Sequence, residues 1–155
     1  MSSARVDATW RDLAGELGTA IDARGAARPQ VALVLGSGLG AFADSIEDAV
    51  ALEFSDRASM PESTVPGHAG RFVLGSVGGV PVLCQQGRIH LYEGHGPEAV
   101  TRAARSFAGI GARALVLTNA AGGLVPDWPV PCLMRITDHV NMQGVTPLGR
   151  GEGRS

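Results

Sequence analysis

Arginine, histidine and tyrosine alternate along Arg88-Ile-His90-Leu-Tyr92. In an extended segment, residues two apart point to one side, so a guanidinium, an imidazole and a phenol would share one face. A guanidinium offers a planar fork of donors that matches two phosphate oxygens, and an imidazole can donate to the same anion. A solvated polar edge strand is the competing reading of the same residues. Two further segments have the make-up of an anion cradle. Gly36-Ser-Gly-Leu-Gly40 and Asn119-Ala-Ala-Gly-Gly123 carry little side chain, so backbone N–H groups can approach an oxyanion closely, and Ser37 adds a hydroxyl. Either loop could equally be a tight strand exit with no ligand.

The other candidates are weaker. His68 sits in the loop Pro66-Gly-His-Ala-Gly70, where a lone histidine is commonly surface decoration. His139, beside Asp138, suits a structural hydrogen bond, and His95 has no evident partner. The histidines lack metal-ligand spacing and no carboxylate pair accompanies them, so no metal site is expected. The serine among glycines is Gly-Ser-Gly and not the Gly-x-Ser-x-Gly of a nucleophile elbow. Gly36-x-Gly38-x-x-Ala41 does satisfy the dinucleotide fingerprint. That motif needs a full helix after the loop, then a parallel strand ending in an acid. Here only Ala41 to Glu47 is available for a helix, and neither Glu53 nor Asp56 ends a convincing buried strand.

These groups need elements to hold them. Trp10, Leu13, Leu17, Ala20 and Ile21 recur at helical spacing, which predicts a helix over 8–24 stopped by Gly25. Val31–Leu35 and Ala114–Thr118 are short apolar runs that end in small residues, the pattern of strands buried on both faces. Arg71–Leu74 and Val80–Cys84 flank a glycine-rich turn and predict a hairpin. Pro97 and Glu98 suit the first turn of a helix that ends at the glycines near 109 and 111. The stretch from Phe54 to Pro66 reads as irregular, and Leu133–Val140 reads as a further strand. Alternating strands and helices with an inserted hairpin predict an α/β fold, a mixed central sheet with flanking helices.

The 155 residues suffice for one domain with a real core, over 1–149, and the polar end at 150–155 reads as a tail. No apolar run approaches the roughly 20 residues of a membrane span, and the start lacks a signal-peptide core, which points to the cytoplasm. A net charge of −2 argues against a general nucleic-acid or membrane surface. The chain has no lysine, so an anion site must use arginine, histidine, hydroxyls and backbone. Cys84 and Cys132 both read as buried, reduced thiols.

Taken in order, Gly36-Ser-Gly-Leu-Gly40, Val65-Pro-Gly-His-Ala-Gly-Arg71, Gly87-Arg-Ile-His-Leu-Tyr-Glu-Gly94, Thr118-Asn-Ala-Ala-Gly-Gly-Leu124 and Thr137-Asp-His-Val-Asn141 resemble the trimeric-type purine nucleoside phosphorylases. The related methylthioadenosine phosphorylases share the architecture but are less similar in the His68 and Arg88 motifs. The resemblance implies phosphorolysis of purine (deoxy)ribonucleosides to free purine and pentose 1-phosphate, in purine salvage. It implies no cofactor beyond phosphate as co-substrate, and a homotrimer. It assigns phosphate to Ser37, His68, Arg88, His90 and the backbone of Ala120, with His90 also catalytic. Tyr92 would lie against the sugar, with Gly36, Gly38, Asn119, Ala121 and Gly122 as supporting loop.

Two departures qualify what the resemblance implies. Family enzymes are longer, and their purine-binding Glu and Asn, a further phosphate-binding Ser, a sugar-side His and a neighbouring subunit's Phe fall past the residues present here. The expectation is a C-terminally incomplete form, inactive or unstable alone, or a non-catalytic remnant that binds phosphate or other subunits. Pro131-Cys132 stands where the family usually has Gly-Asp, which is expected to distort the start of the 133–140 strand.

Overall fold

A computed structural model describes residues 9–61 and 70–148. Helix α1 spans Trp10–Asp22 and opens on a capping box: Thr9 N–H donates to the Asp12 carboxylate at 2.7 Å, and Asp12 N–H donates back to Thr9 Oγ1 at 3.3 Å. Its buried stripe is Leu13, Leu17, Ala20 and Ile21, as the spacing predicts. Strand β1 follows at Val31–Val34, and residues Gly40–Ser45 form a 3-10 turn where a short helix was expected.

Strand β2, Glu47–Glu53, is not foreseen by the sequence reading. It is an edge strand that turns only Val50 and Leu52 toward the core, so its apolar pattern is faint. It pairs antiparallel with β3, Arg71–Val77, which pairs antiparallel with β4, Val80–Gln86. The predicted hairpin is present and longer than expected. Gly78 and Gly79 both have positive φ, which a two-residue hairpin turn of this twist requires. Helix α2 runs Pro97–Gly109 with Pro97 in its first turn, and β5 is Ala114–Leu117.

The strand order is β2-β3-β4-β1-β5, with β1 parallel to both β4 and β5. The mixed α/β sheet is therefore as expected. Its main core brings α1 and α2 together with Phe72, Leu74 and Leu83 of the sheet. Phe72 sits between Phe54, ring centroids 4.8 Å apart, and Phe107, 5.9 Å away and edge-on. A second cluster on alternate strand positions joins Val73, Val82 and Cys84 to Leu35, Ala43 and Ile46. A buried polar network ties α2 to α1: Arg102 donates to the Ser59 carbonyl at 2.5 Å, while Ser59 N and Oγ donate to Glu16 Oε1 at 3.1 and 2.7 Å.

Two expectations are corrected. Residues 133–140 form no strand, and Leu133 is 98% exposed. A strand holds only by pairing with a neighbour, and no described strand lies beyond β5 for this segment to join. Cys132, in the same stretch, is exposed, whereas Cys84 is buried as predicted. The tail at 150–155 lies outside the described residues.

Candidate functional site

Parallel strands that are neighbours in a sheet end on the same side, so β4, β1 and β5 deliver their following loops to one place. Those loops are 87–93, 35–40 and 118–123, and they hold nearly every residue singled out from sequence. The ladders run one step past the strand ends: Leu35 N–H donates to Gln85 O at 3.0 Å and Thr118 N–H donates to Val34 O at 3.1 Å.

The closest meeting is at Gly36. Its N–H donates to Thr118 Oγ1 at 2.9 Å, and that hydroxyl donates in turn to Val34 O at 3.1 Å. A β-carbon on residue 36 would lie 2.5 Å from Thr118 O, 2.6 Å from Arg88 Nη2 and 2.7 Å from Asn119 Cα. Only glycine permits this contact between the two loops. The Gly36 N–H is thereby committed to Thr118 rather than offered to a ligand, so Gly36 shapes the cradle without donating to it. Gly38, at φ +81°, makes the next turn, and Ser37 between them is exposed.

The same Cβ distances place the half-buried Arg88 guanidinium across the 36 and 118–119 loops. Among the described residues Arg88 has no hydrogen-bond or carboxylate partner, whereas Arg28 is paired with Asp22 at 2.6 Å. Two glutamines brace its strand exit. Gln85 Nε2 donates to Gly87 O at 2.9 Å. Gln86 Nε2 donates to Gly40 O at 2.9 Å and its Oε1 accepts from Arg71 Nε at 2.7 Å.

The 88–92 segment is extended only as far as His90, φ −119° and ψ 151°. Residues Leu91–Glu93 then form a 3-10 turn, held by His90 N–H donating to Glu93 Oε1 at 2.8 Å. The simple alternation expected for 88, 90 and 92 therefore stops at 90. Tyr92 folds back and stacks on His90 instead, ring centroids 4.7 Å apart and 14° from parallel. Tyr92 is 75% exposed, and His90 is half-buried.

The remaining candidates divide by position. Asn119 is drawn against Gly36, while Ala120, Ala121 and Gly122 are exposed, with open space around Gly122. His68 lies outside the described residues. His139 is exposed, and the bond to the Asp138 carboxylate, at 2.8 Å, comes from its backbone N–H and not from its imidazole. The His95 Nε2 is buried without a partner among the described residues. Burial pushes the Cys84 thiol up to about 11, which removes it as a nucleophile at neutral pH. The dinucleotide reading fails on topology: the strand after the 40–45 turn is β2, which pairs antiparallel with β3 and is no neighbour of β1.

Sequence reading missed the working parts of Gln85, Gln86 and above all Thr118. A threonine closing a buried apolar run, just before a small-residue loop, was the available signal.

Residues 30–153 match the family model of the phosphorylase superfamily. Purine nucleoside phosphorylase 1 of Bacillus subtilis is 49% identical over 120 residues, which make up 77% of this chain and 44% of that protein. Purine nucleoside phosphorylase of Bos taurus is 47% identical over 117 residues, 76% of this chain and 40% of that protein. Among solved structures, isoform 2 of the Schistosoma mansoni purine nucleoside phosphorylase, in complex with cytosine and ribose-1-phosphate, superposes with a TM-score of 0.64 at 35% identity, covering 71% of this chain and 39% of that one. The chain thus spans less than half the length of these relatives. No helix among the described residues is long and apolar enough to cross a membrane.

Proposed function

The chain belongs to the phosphorylase superfamily, and from that membership we propose that it supplies the phosphate-binding side of a purine nucleoside phosphorylase. The observation that carries this reading is Arg88: a guanidinium with no carboxylate partner among the described residues, held where three strand-end loops converge. An arginine with no partner among the described residues, beside small-residue backbone, is an arrangement that an oxyanion completes.

In this reading phosphate is the nucleophile. One of its oxygens bonds to the anomeric carbon as the glycosidic C–N bond breaks, and the bonding electrons leave with the purine nitrogen. The protein needs no covalent nucleophile; it must desolvate and aim the anion. Arg88 takes two phosphate oxygens through its fork. His90, Ser37, His68 and the Ala120 N–H add donors, and the bound anion also steadies oxocarbenium character in the pentose. Tyr92, stacked on His90, extends the site toward the sugar. The substrates are a purine nucleoside and phosphate, the setting is purine salvage in the cytoplasm, and the assembly is a homotrimer.

Calorimetric titration with inorganic phosphate tests the site. The wild-type chain is expected to bind, and Arg88→Ala to weaken binding by about 1.5–3 kcal/mol, the range for hydrogen bonds to charged groups. No wild-type binding, or equal binding by both, overturns the reading. Phosphate-dependent release of hypoxanthine from inosine measures how much of the whole reaction the chain performs.

A further inference from the structure

Gln86 ends β4, paired in register with Arg71 at the start of β3, and its half-buried side-chain amide is engaged at both ends. Oε1 accepts from Arg71 Nε at 2.7 Å, and Nε2 donates to Gly40 O at 2.9 Å. A guanidinium nitrogen can only donate and a carbonyl can only accept, so both neighbours fix the amide the same way round. Turned over, it would set N–H against N–H and oxygen against oxygen. The span therefore calls for an acceptor and a donor on one side chain, which neither glutamate nor methionine supplies. The charged donor also polarises the amide and strengthens its hold on Gly40. Alternation along the strand sends the neighbouring Gln85 to the opposite face, where it donates to Gly87 O.

Gly40 closes the loop that carries Ser37. The near end of that loop is fixed by the Gly36 N–H on Thr118 Oγ1, and a turn inside it by the Leu39 N–H on Gly36 O at 3.1 Å. Gln86 ties its far end to β4. Ser37 is exposed between these ties, so its place relative to Arg88 is set by them and not by packing of its own side chain. We propose that Gln86 is a positioning residue for phosphate. Acting through Gly40 and not on the anion, it holds the Ser37 loop at the reach from the Arg88 exit at which both donors meet one anion. Arg71 is the second part of the device, because it orients the amide. The proposal rests on the phosphate reading of the site and adds to it the group that sets the width of the cradle.

Calorimetric titration with inorganic phosphate of the wild type, Gln86→Met, Ser37→Ala and the double variant tests it. Gln86→Met is expected to weaken binding about tenfold in the wild-type chain and no more than about twofold in the Ser37→Ala chain, where the loop has no hydroxyl left to place. A merely structural role gives the same loss in both backgrounds. Gln86→Glu keeps the Arg71 bond but cannot donate to Gly40, so it serves where the methionine variant does not fold, and its loss is likewise expected to shrink in the Ser37→Ala chain. In the wild type itself, NMR is expected to find the Gln86 side-chain amide hydrogens exchanging at least about tenfold more slowly than those of the exposed Gln143. Phosphate binding that Gln86→Met leaves intact, equal losses in both backgrounds, or an unprotected Gln86 amide overturns the proposal and leaves the phosphate site standing. No binding by the wild type removes the phosphate reading and this proposal with it.

Discussion

Thr118 and Gly36 are joined by a single hydroxyl: it accepts the Gly36 N–H at 2.9 Å and donates its own O–H to Val34 O at 3.1 Å. That bridge ties the exits of β1 and β5, separated by 82 residues in the chain, into one rigid floor. Arg88 crosses the same floor, so the geometry of the candidate site depends on a residue that need not touch a ligand.

Thr118→Val keeps the shape and removes the hydroxyl, which leaves the Gly36 N–H without its acceptor. The expected cost is about 1–3 kcal/mol in urea unfolding, with weaker phosphate binding alongside. Thr118→Ser restores both. Unchanged stability and unchanged phosphate binding in the valine variant would show that the bridge is dispensable.

Gly36→Ala forces a methyl group against the Thr118 carbonyl and the Asn119 backbone, neither of which can swing aside. About 1–3 kcal/mol of destabilisation is expected, the range for overpacking. Gly122→Ala meets open space and should stay within about 0.5 kcal/mol of wild type. Paired denaturant melts compare the two, and equal effects would contradict the close approach at residue 36.

Arg102→Met should destabilise the chain by about 1–3 kcal/mol, because the Ser59 carbonyl loses its buried donor while the methionine refills most of the volume. Burial pulls the Arg102 guanidinium below its usual range, with the Asp12 charge opposing. Ser59→Ala removes the Oγ bond to Glu16 and should lie on the same path, so the double variant is expected to cost less than the sum. Thermal unfolding of the three variants measures the coupling, and strict additivity would dissolve the network.

A thiol reagent at pH 8 is expected to modify Cys132 at once and Cys84 only after unfolding. The Cys84 thiol titrates at 9.0 in the open chain and about 11 in the fold, so between those pH values the folded state holds the extra proton. Stability therefore falls as pH rises through that window, by about 2–3 kcal/mol in full. Cys84→Ala should flatten that part of the pH–stability curve, and an unaltered slope would remove Cys84 as its source.

Legibility in the sequence followed how much of each signal is local. The helices α1 and α2, the strands β1 and β5 and the hairpin rest on periodicity, punctuating glycines and proline, and all are found near the predicted bounds. β2 escaped because an edge strand with one buried residue, Leu52, barely alternates. Residues 133–140 misled for the opposite reason: they have the right residue types, but pairing is a property of two strands. The site divides along the same line. Its small-residue loops and Arg88 are visible as composition, whereas the work of Thr118 appears only once β1 and β5 lie side by side. The turn at Leu91–Glu93, which returns Tyr92 onto His90, needed the Glu93 carboxylate to be read as a clasp on the His90 backbone.

The tight turn at Gly78-Gly79 begins β4, and Arg88 stands just past its other end. Seven residues of strand, about 20 Å, separate the two. The hairpin tip is therefore a natural handle. A dye or a tether attached there leaves the anion-facing rim pointing away from the support, so the chain can be surface-mounted with its chemistry outward.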